Sequence, residues 1–209
     1  MAETAELSEQ AVRARVYGVF ATLMLRGVTE DEMGPVLQML AHIAEAQGRD
    51  LSVGIHAAAV AREEFEQLFL VPLPGRDVSL YGSAYRGEGA EPWGEVSFQV
   101  AGLAAACGID WQPEGFRPGR AYLIDPDHLG LWLALLAEVI ERQAEGREEA
   151  LAGKSPAEWE RWVRADLLSW LPILTAKLHE ECEAAFYPQV LELLLGYLRL
   201  DDELSHRVQ

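Results

Sequence analysis

The sequence predicts an all-α fold, a single compact multi-helix domain over residues 1–209. Apolar residues recur at the helical period along almost every segment, and no run of five or more alternates as a half-buried strand would. Half of the 209 residues are apolar against 24% charged, which is enough for one full core.

The elements follow in order. A first helix runs from about Leu7 to Leu25, with Val12, Val16, Val19, Phe20 and Leu23 as an apolar stripe over an Arg13/Arg15 flank. Thr29-Glu30-Asp31-Glu32 is a capping box that opens a second helix ending near Gly48, with Pro35 early in it. A third helix spans about Leu51 to Leu70. The stretch from Val71 to Gly89 is rich in Pro and Gly yet keeps Tyr81 and Tyr85, the mark of a functional loop rather than a connector. Glu91-Pro92-Trp93 opens a fourth helix that reaches Cys107-Gly108, and a second irregular stretch covers Ile109 to Ile124.

Asp125 at the N-cap and Pro126 at the first helical position would start a fifth helix through Leu131, Leu135, Leu136 and Val139. The charged linker Glu145–Lys154 is a candidate hinge, and with it the chain would be a monomer or a domain-swapped dimer. Ser155-Pro156-Ala157-Glu158 is a second capping box. Its helix carries Trp159, Trp162, Leu167 and Trp170 until Pro172 kinks or breaks it. A last helix, about Ala184 to Glu203, carries Phe186, Val190, Leu193, Leu194 and Tyr197.

Composition excludes several functions. Lys+Arg 17 against Asp+Glu 34 gives a net charge of −17, which repels phosphate, so no nucleic-acid partner is expected. Two cysteines without zinc-type spacing make neither a disulfide framework nor a structural zinc site. The acidic N-terminus is unlike a signal peptide. The longest apolar runs, Val16–Leu25 and Leu129–Ala137, fall well short of the roughly 20 residues of a membrane span, so no stable membrane insertion is expected and the compartment is the cytoplasm. GxSxG, Walker A and GxGxxG motifs are absent, so an enzyme is not the expected class and no cofactor is assigned.

The remaining constellations admit two readings each. Asp127 and His128 are adjacent, so on a helix they point about 100° apart and make a poor catalytic dyad. They would either stitch a helix start to its own loop or receive a cationic ligand. Phe65, Leu68 and Phe69 share one helical face, which reads as core; beside the loop they would line a groove for an apolar peptide. Glu203-x-x-His206 reads as a frayed terminus rather than half of a di-iron site. His179 with Cys182 and Glu183 reads as a solvated face or, with a third partner, a soft-metal site. Aromatics in loops together with an acidic field point to recognition of an apolar segment carrying arginines.

Phe65-x-x-Leu68-Phe69, then Leu80-Tyr81-Gly82-Ser83-Ala84-Tyr85, then Pro126-Asp127-His128-Leu129-Gly130 and Phe186-Tyr187-Pro188 resemble, in that order, the TorD/DmsD family. The resemblance implies a cytoplasmic, all-helical, non-enzymatic chaperone. Its partner would be the twin-arginine leader, and so the precursor, of a molybdenum-cofactor oxidoreductase, whose export it delays until the cofactor is inserted. It further implies that Phe65, Leu68, Phe69, Leu80, Tyr81 and Tyr85 shape the leader groove and that Gly82 and Ser83 turn its loop. Pro126, Asp127 and His128 would contact the leader or fix the groove's edge. Family members often carry tryptophan where this chain has Phe65, Tyr81 and Tyr85. An assembly factor that grips the mature client, as in nitrate-reductase assembly, and a metal-dependent helical-bundle enzyme are the alternative readings.

Overall fold

In the computed structural model residues 8–49, 51, 58–70, 78–86, 94–110, 125–181 and 186–207 are described. Seven α-helices are found among them: α1 (Glu9–Arg26), α2 (Glu30–Ala46), α3 (Ala58–Phe65), α4 (Glu95–Cys107), α5 (Leu129–Ala144), α6 (Pro156–Glu181) and α7 (Phe186–Arg207). A π-helical turn, Glu66–Leu70, continues α3, and a 3-10 turn, Gly82–Ala84, lies in the first loop. The described residues form no strand, only two isolated bridges. None of their helices is long and apolar enough to cross a membrane.

The central element is α5. Nine of its residues are buried, from Leu129 to Ile140, so it is apolar nearly all round and must be covered on all sides. α1 packs along it most extensively, α4 and α6 flank it, α7 lies on α6, and α2 and α3 lie against α7. Gly130 permits the close approach of α1, because a Cβ there would stand 2.5 Å from Leu25 Cγ. Tyr17, Phe20, Leu23 and Met24 of α1 meet Trp132, Leu135 and Leu136 of α5 in one core, which Trp159, Trp170, Leu174, Val190 and Leu194 extend. Each fully buried side chain of this size contributes about 1.5–3 kcal/mol over its exposed state.

The two capping boxes are present. Thr29 and Glu32 close α2 reciprocally. Ser155 Oγ accepts from the Glu158 amide at 3.3 Å, while Glu158 accepts from the Ser155 amide at 2.8 Å. Several expectations need correction. Pro172 does not break α6, which runs unbroken for 26 residues, since one missing amide is tolerated where Trp170, Leu171 and Leu174 are all fully buried. Val12 leaves the core stripe and is 46% exposed, and of the arginine flank only Arg15 faces solvent.

Arg13 instead turns inward. Its Nε donates to Asp201 Oδ1 of α7 at 2.6 Å and its Nη2 to Glu160 of α6. Tyr17 Oη donates to Asp201 Oδ2 at 2.7 Å, Gln143 of α5 donates to Glu160 at 2.6 Å, and Arg164 pairs with Glu160. Arg13, Glu160, Arg164 and Asp201 thus join α1, α6 and α7 through a charge network at the helix ends, which α5 reaches through Gln143.

Of the third predicted helix, Ala58–Phe65 is α-helical and residues 66–70 form the π turn, while residues 52–57 lie outside the described residues. The fourth helix does not open at Glu91: Gly94 is its N-cap in an extended conformation, and α4 begins at Glu95. The opening placed at Ala184 lies outside the described residues, and the described part of α7 begins at Phe186. α7 extends past Glu203 to Arg207, so Glu203 and His206 are helical, with His206 Nε2 3.6 Å from Asp202. His179 pairs with Glu192 at 2.7 Å, and Cys182 and Glu183 lie outside the described residues. In the Glu145–Lys154 linker, Leu151 is buried and exchanges two backbone hydrogen bonds with Lys154, at 2.8 and 3.1 Å.

Candidate functional site

The loop of residues 78–86 and the start of α5 are built together. Leu129 N donates to Leu80 O at 2.8 Å and Gly82 N to Asp127 O at 3.2 Å, so Tyr81 and His128 form an antiparallel bridge. This pairing moves the helix start. Asp125 and Pro126 were expected as N-cap and first helical residue, but both lie in a turn ahead of the helix. The N-cap is His128, whose Nδ1 accepts from Gly130 N at 3.1 Å. Asp125 Oδ1 accepts from Asp127 N at 2.9 Å and rigidifies that turn.

His128 is half-buried, and burial holds its pKa down to about 4, so the imidazole is neutral. Because Nδ1 accepts a hydrogen bond, its proton sits on Nε2. The Tyr81 ring meets the imidazole edge to face, with centroids 5.1 Å apart. Burial, then the charge of Asp125, lifts the Tyr81 phenol above its ordinary pKa.

Asp127 is fully buried, and the protein itself supplies its donors. Ser83 N lies at 2.5 Å from Oδ2, Arg86 Nη1 at 2.8 Å and Trp132 Nε1 at 3.2 Å from Oδ1. Arg86 also forks onto Asp166 of α6, through Nη2 at 2.6 Å and Nε at 3.2 Å, and Trp170 Nε1 donates to the same Asp166 at 2.9 Å. The guanidinium carbon lies 5.4 Å from the Trp132 ring centroid and 5.7 Å from that of Trp170. Burial works against the charge of Arg86, and Asp166 and Asp127 more than reverse it, raising its pKa above the ordinary value. Gly82 is required here, since a Cβ would stand 2.6 Å from Arg86 Nη2 and 2.8 Å from Trp170. Tyr85 stacks on Trp170 with ring centroids 6.2 Å apart, and its hydroxyl accepts from Ser79 N at 2.9 Å.

Phe65, Leu68 and Phe69 form a second group. Phe65 and Leu68 are core residues and Phe69 is half-buried. Phe65 and Phe69 pack on Tyr187, at 5.7 and 5.3 Å between ring centroids. Beside them, Glu64 accepts from the amides of Phe186 and Tyr187 at 3.0 and 3.2 Å, placing a carboxylate at the N-terminus of α7. The two groups flank the end of α1. Leu25 packs on Gly130, and a Cβ at Gly27 would meet Phe65 at 3.4 Å. An open cleft of about 590 Å³ is lined by Arg26, Val28, Thr29, Arg62, Phe65 and Leu70 among others; Phe65 is the one predicted site residue on its wall. Leu25, Val60 and Leu70 are exposed at 42%, 43% and 39% in the same part of the fold.

The sequence pattern assigns none of Arg86, Asp166, Trp132 and Trp170 to the site, and Trp170 reads there only as part of its helix's apolar face. Isolated charges read as solvated and helical tryptophans as core; the usable signal was Asp166 four residues before Trp170, one helical turn away.

Comparison with known proteins places the chain. The family described as nitrate reductase delta subunit matches residues 30–176. The "Chaperone protein TorD" of Vibrio vulnificus (strain CMCP6) is 24% identical over 201 residues, covering 91% of this chain and 93% of the relative. That of Vibrio parahaemolyticus serotype O3:K6 (strain RIMD 2210633) is 24% identical over 211 residues, covering 90% and 92%. A third, from Vibrio atlanticus (strain LGP32), is 32% identical over 77 residues, 37% of this chain and 36% of the relative. No solved structure gives a significant match.

Proposed function

The chain belongs to the family described as nitrate reductase delta subunit, the TorD family of redox-enzyme maturation chaperones, and from that premise we propose that it binds the twin-arginine leader of a molybdenum-cofactor oxidoreductase and delays its export until the cofactor is inserted. The observation that carries the reading is the joining of Tyr81 and His128, far apart in sequence, into one edge at the start of α5. A tyrosine ring against a neutral imidazole offers an apolar face with polar tips, which suits a peptide that is partly apolar. The cleft floored by Val28, Phe65 and Leu70 supports a seat for the leader's apolar segment. The charge of −17 draws the leader's arginines toward the surface before contact.

Binding orders a flexible segment, which subtracts roughly 2–5 kcal/mol from the gross interaction and keeps release easy. The test is isothermal titration with a synthetic twin-arginine leader beside a twin-lysine control. Saturable binding that the control weakens is expected; no binding to any leader overturns the reading. In that event the reading that remains is one in which the chaperone grips the mature part of its client. Titration with the folded client subunit separates the two.

A further inference from the structure

Asp127 is the buried carboxylate that the leader's arginines would need, and Arg86 already occupies it. We propose that Asp127, Asp166, Trp132 and Trp170 form a guanidinium cage held in cis by Arg86, and that an arginine of the client leader enters by taking the place of Arg86. The inference rests on the leader-binding reading and names the contact by which that reading reaches a carboxylate with no exposed surface.

The walls of the cage and its occupant differ in how they are held. Trp132 is in α5, Asp166 and Trp170 are in α6, and Asp127 is fixed by backbone hydrogen bonds at the entry to α5. Arg86 is in the loop, two residues past the 3-10 turn. The loop holds Asp127 through the Gly82 and Ser83 amides, so it is the Arg86 side chain alone that swings out while those contacts keep the walls in place. The cage also has a wet side: the Arg86 and Asp166 side chains are 14% and 15% exposed, whereas Asp127 is 0% exposed. An incoming guanidinium can engage Asp166 first and reach Asp127 as Arg86 withdraws to solvent.

The energetics suit selection more than affinity. One guanidinium replaces another against the same two carboxylates and two indole rings, so the exchange adds little net binding. Lysine fares worse because an ammonium has no planar fork to span both carboxylates and stacks less well between the rings. Discrimination between arginine and lysine then follows from a site built for the chain's own arginine.

The experiment uses the full chain and Arg86→Ala. Emptying the cage leaves Asp127 uncompensated and lowers the melting temperature, and guanidinium chloride at low millimolar concentration should restore part of that loss. Ammonium chloride at equal concentration should not, and the unsubstituted protein should not respond. Equal effects of the two salts on the variant overturn the cage. In titrations, Arg86→Ala should bind the twin-arginine leader about tenfold more tightly, because the cost of displacing the resident arginine is gone, with no tightening for the twin-lysine peptide. Binding that is unchanged or weaker in the variant, with normal binding by the unsubstituted protein, overturns the exchange and leaves the leader reading standing; no binding by either protein overturns both. Should Arg86→Ala fail to fold, Asp166→Asn keeps an acceptor for Trp170 while removing one wall charge. It should narrow the preference for twin arginine over twin lysine, and an undiminished preference overturns the proposal.

Discussion

Trp159 Nε1 donates to the carbonyl oxygen of Leu151 at 2.6 Å, tying the first turn of α6 back onto the linker that leads into it. Lys154 adds to the clamp, its ammonium standing 4.2 Å from the Trp159 ring centroid. A linker anchored in this way resists opening. Trp159→Phe keeps most of the packing and removes the donor, while Leu151 O retains the Lys154 amide. The expected loss is about 1 kcal/mol in urea unfolding. If the linker is the hinge for helix exchange, size exclusion at high concentration shows more dimer for the variant; a monomer in both proteins removes that hinge.

The His128 cap makes stability depend on pH. Its folded pKa of about 4 lies below its ordinary 6.5, so the unfolded chain takes up a proton that the folded chain refuses. The stabilisation is complete above about 6.5 and is lost as pH falls toward about 4, with a slope of up to about 1.4 kcal/mol per pH unit inside that window. His128→Asn keeps a capping acceptor and removes the titration. Urea unfolding of both proteins across the window should show the gap between them closing or reversing at the acid end. A constant gap would mean that His128 stays out of the pH response.

The Asp201 carboxylate accepts from Arg13 and Tyr17 and lies 3.7 Å from Arg164 Nε, while Arg164 Nη1 donates to the Asp201 backbone carbonyl. Asp201→Ala strands part of the positive charge of two buried or half-buried guanidinium groups, a loss of roughly 3 kcal/mol or more. Arg26→Ala removes only an exposed pair with Glu32 and should change stability by well under about 1 kcal/mol. Comparable losses in the two variants, measured by chemical denaturation, would contradict the burial argument.

Leader binding should separate into a long-range part and a contact part. Raised salt screens the −17 charge and weakens binding. Tyr81→Ala and Phe69→Ala weaken it at every salt concentration. Affinity that responds to neither treatment leaves the groove without support.

Local signals were readable and long-range ones were not. Thr29 to Glu32 and Ser155 to Glu158 each satisfy helix-end donors within four residues, so the pattern alone identifies both helix starts. Asp125-Pro126 carries an equally good local signal, and the structure overrides it because Leu80 and Gly82, from another part of the chain, hold the backbone of residues 127–129. The resemblance grouped Tyr81, Gly82 and Ser83 with Asp127 and His128, and the structure brings these together. It also packs Phe65 and Phe69 on Tyr187, another residue of the resemblance. Nothing in the sequence around Arg86 reveals the two carboxylates that meet it, one from the turn before α5 and one from α6.

The pairing of Arg13 with Asp201 spans 188 residues, and α1 finds its main apolar partner in α5. During synthesis α1 emerges well before α5, the helix that packs most extensively over Tyr17, Phe20 and Leu23, and its ion pair with Asp201 waits for α7. Folding therefore depends on late, distant contacts and leaves the apolar face of α1 waiting until α5 has been made. A maturation chaperone thus passes through an unfinished condition of its own on the way to the native state.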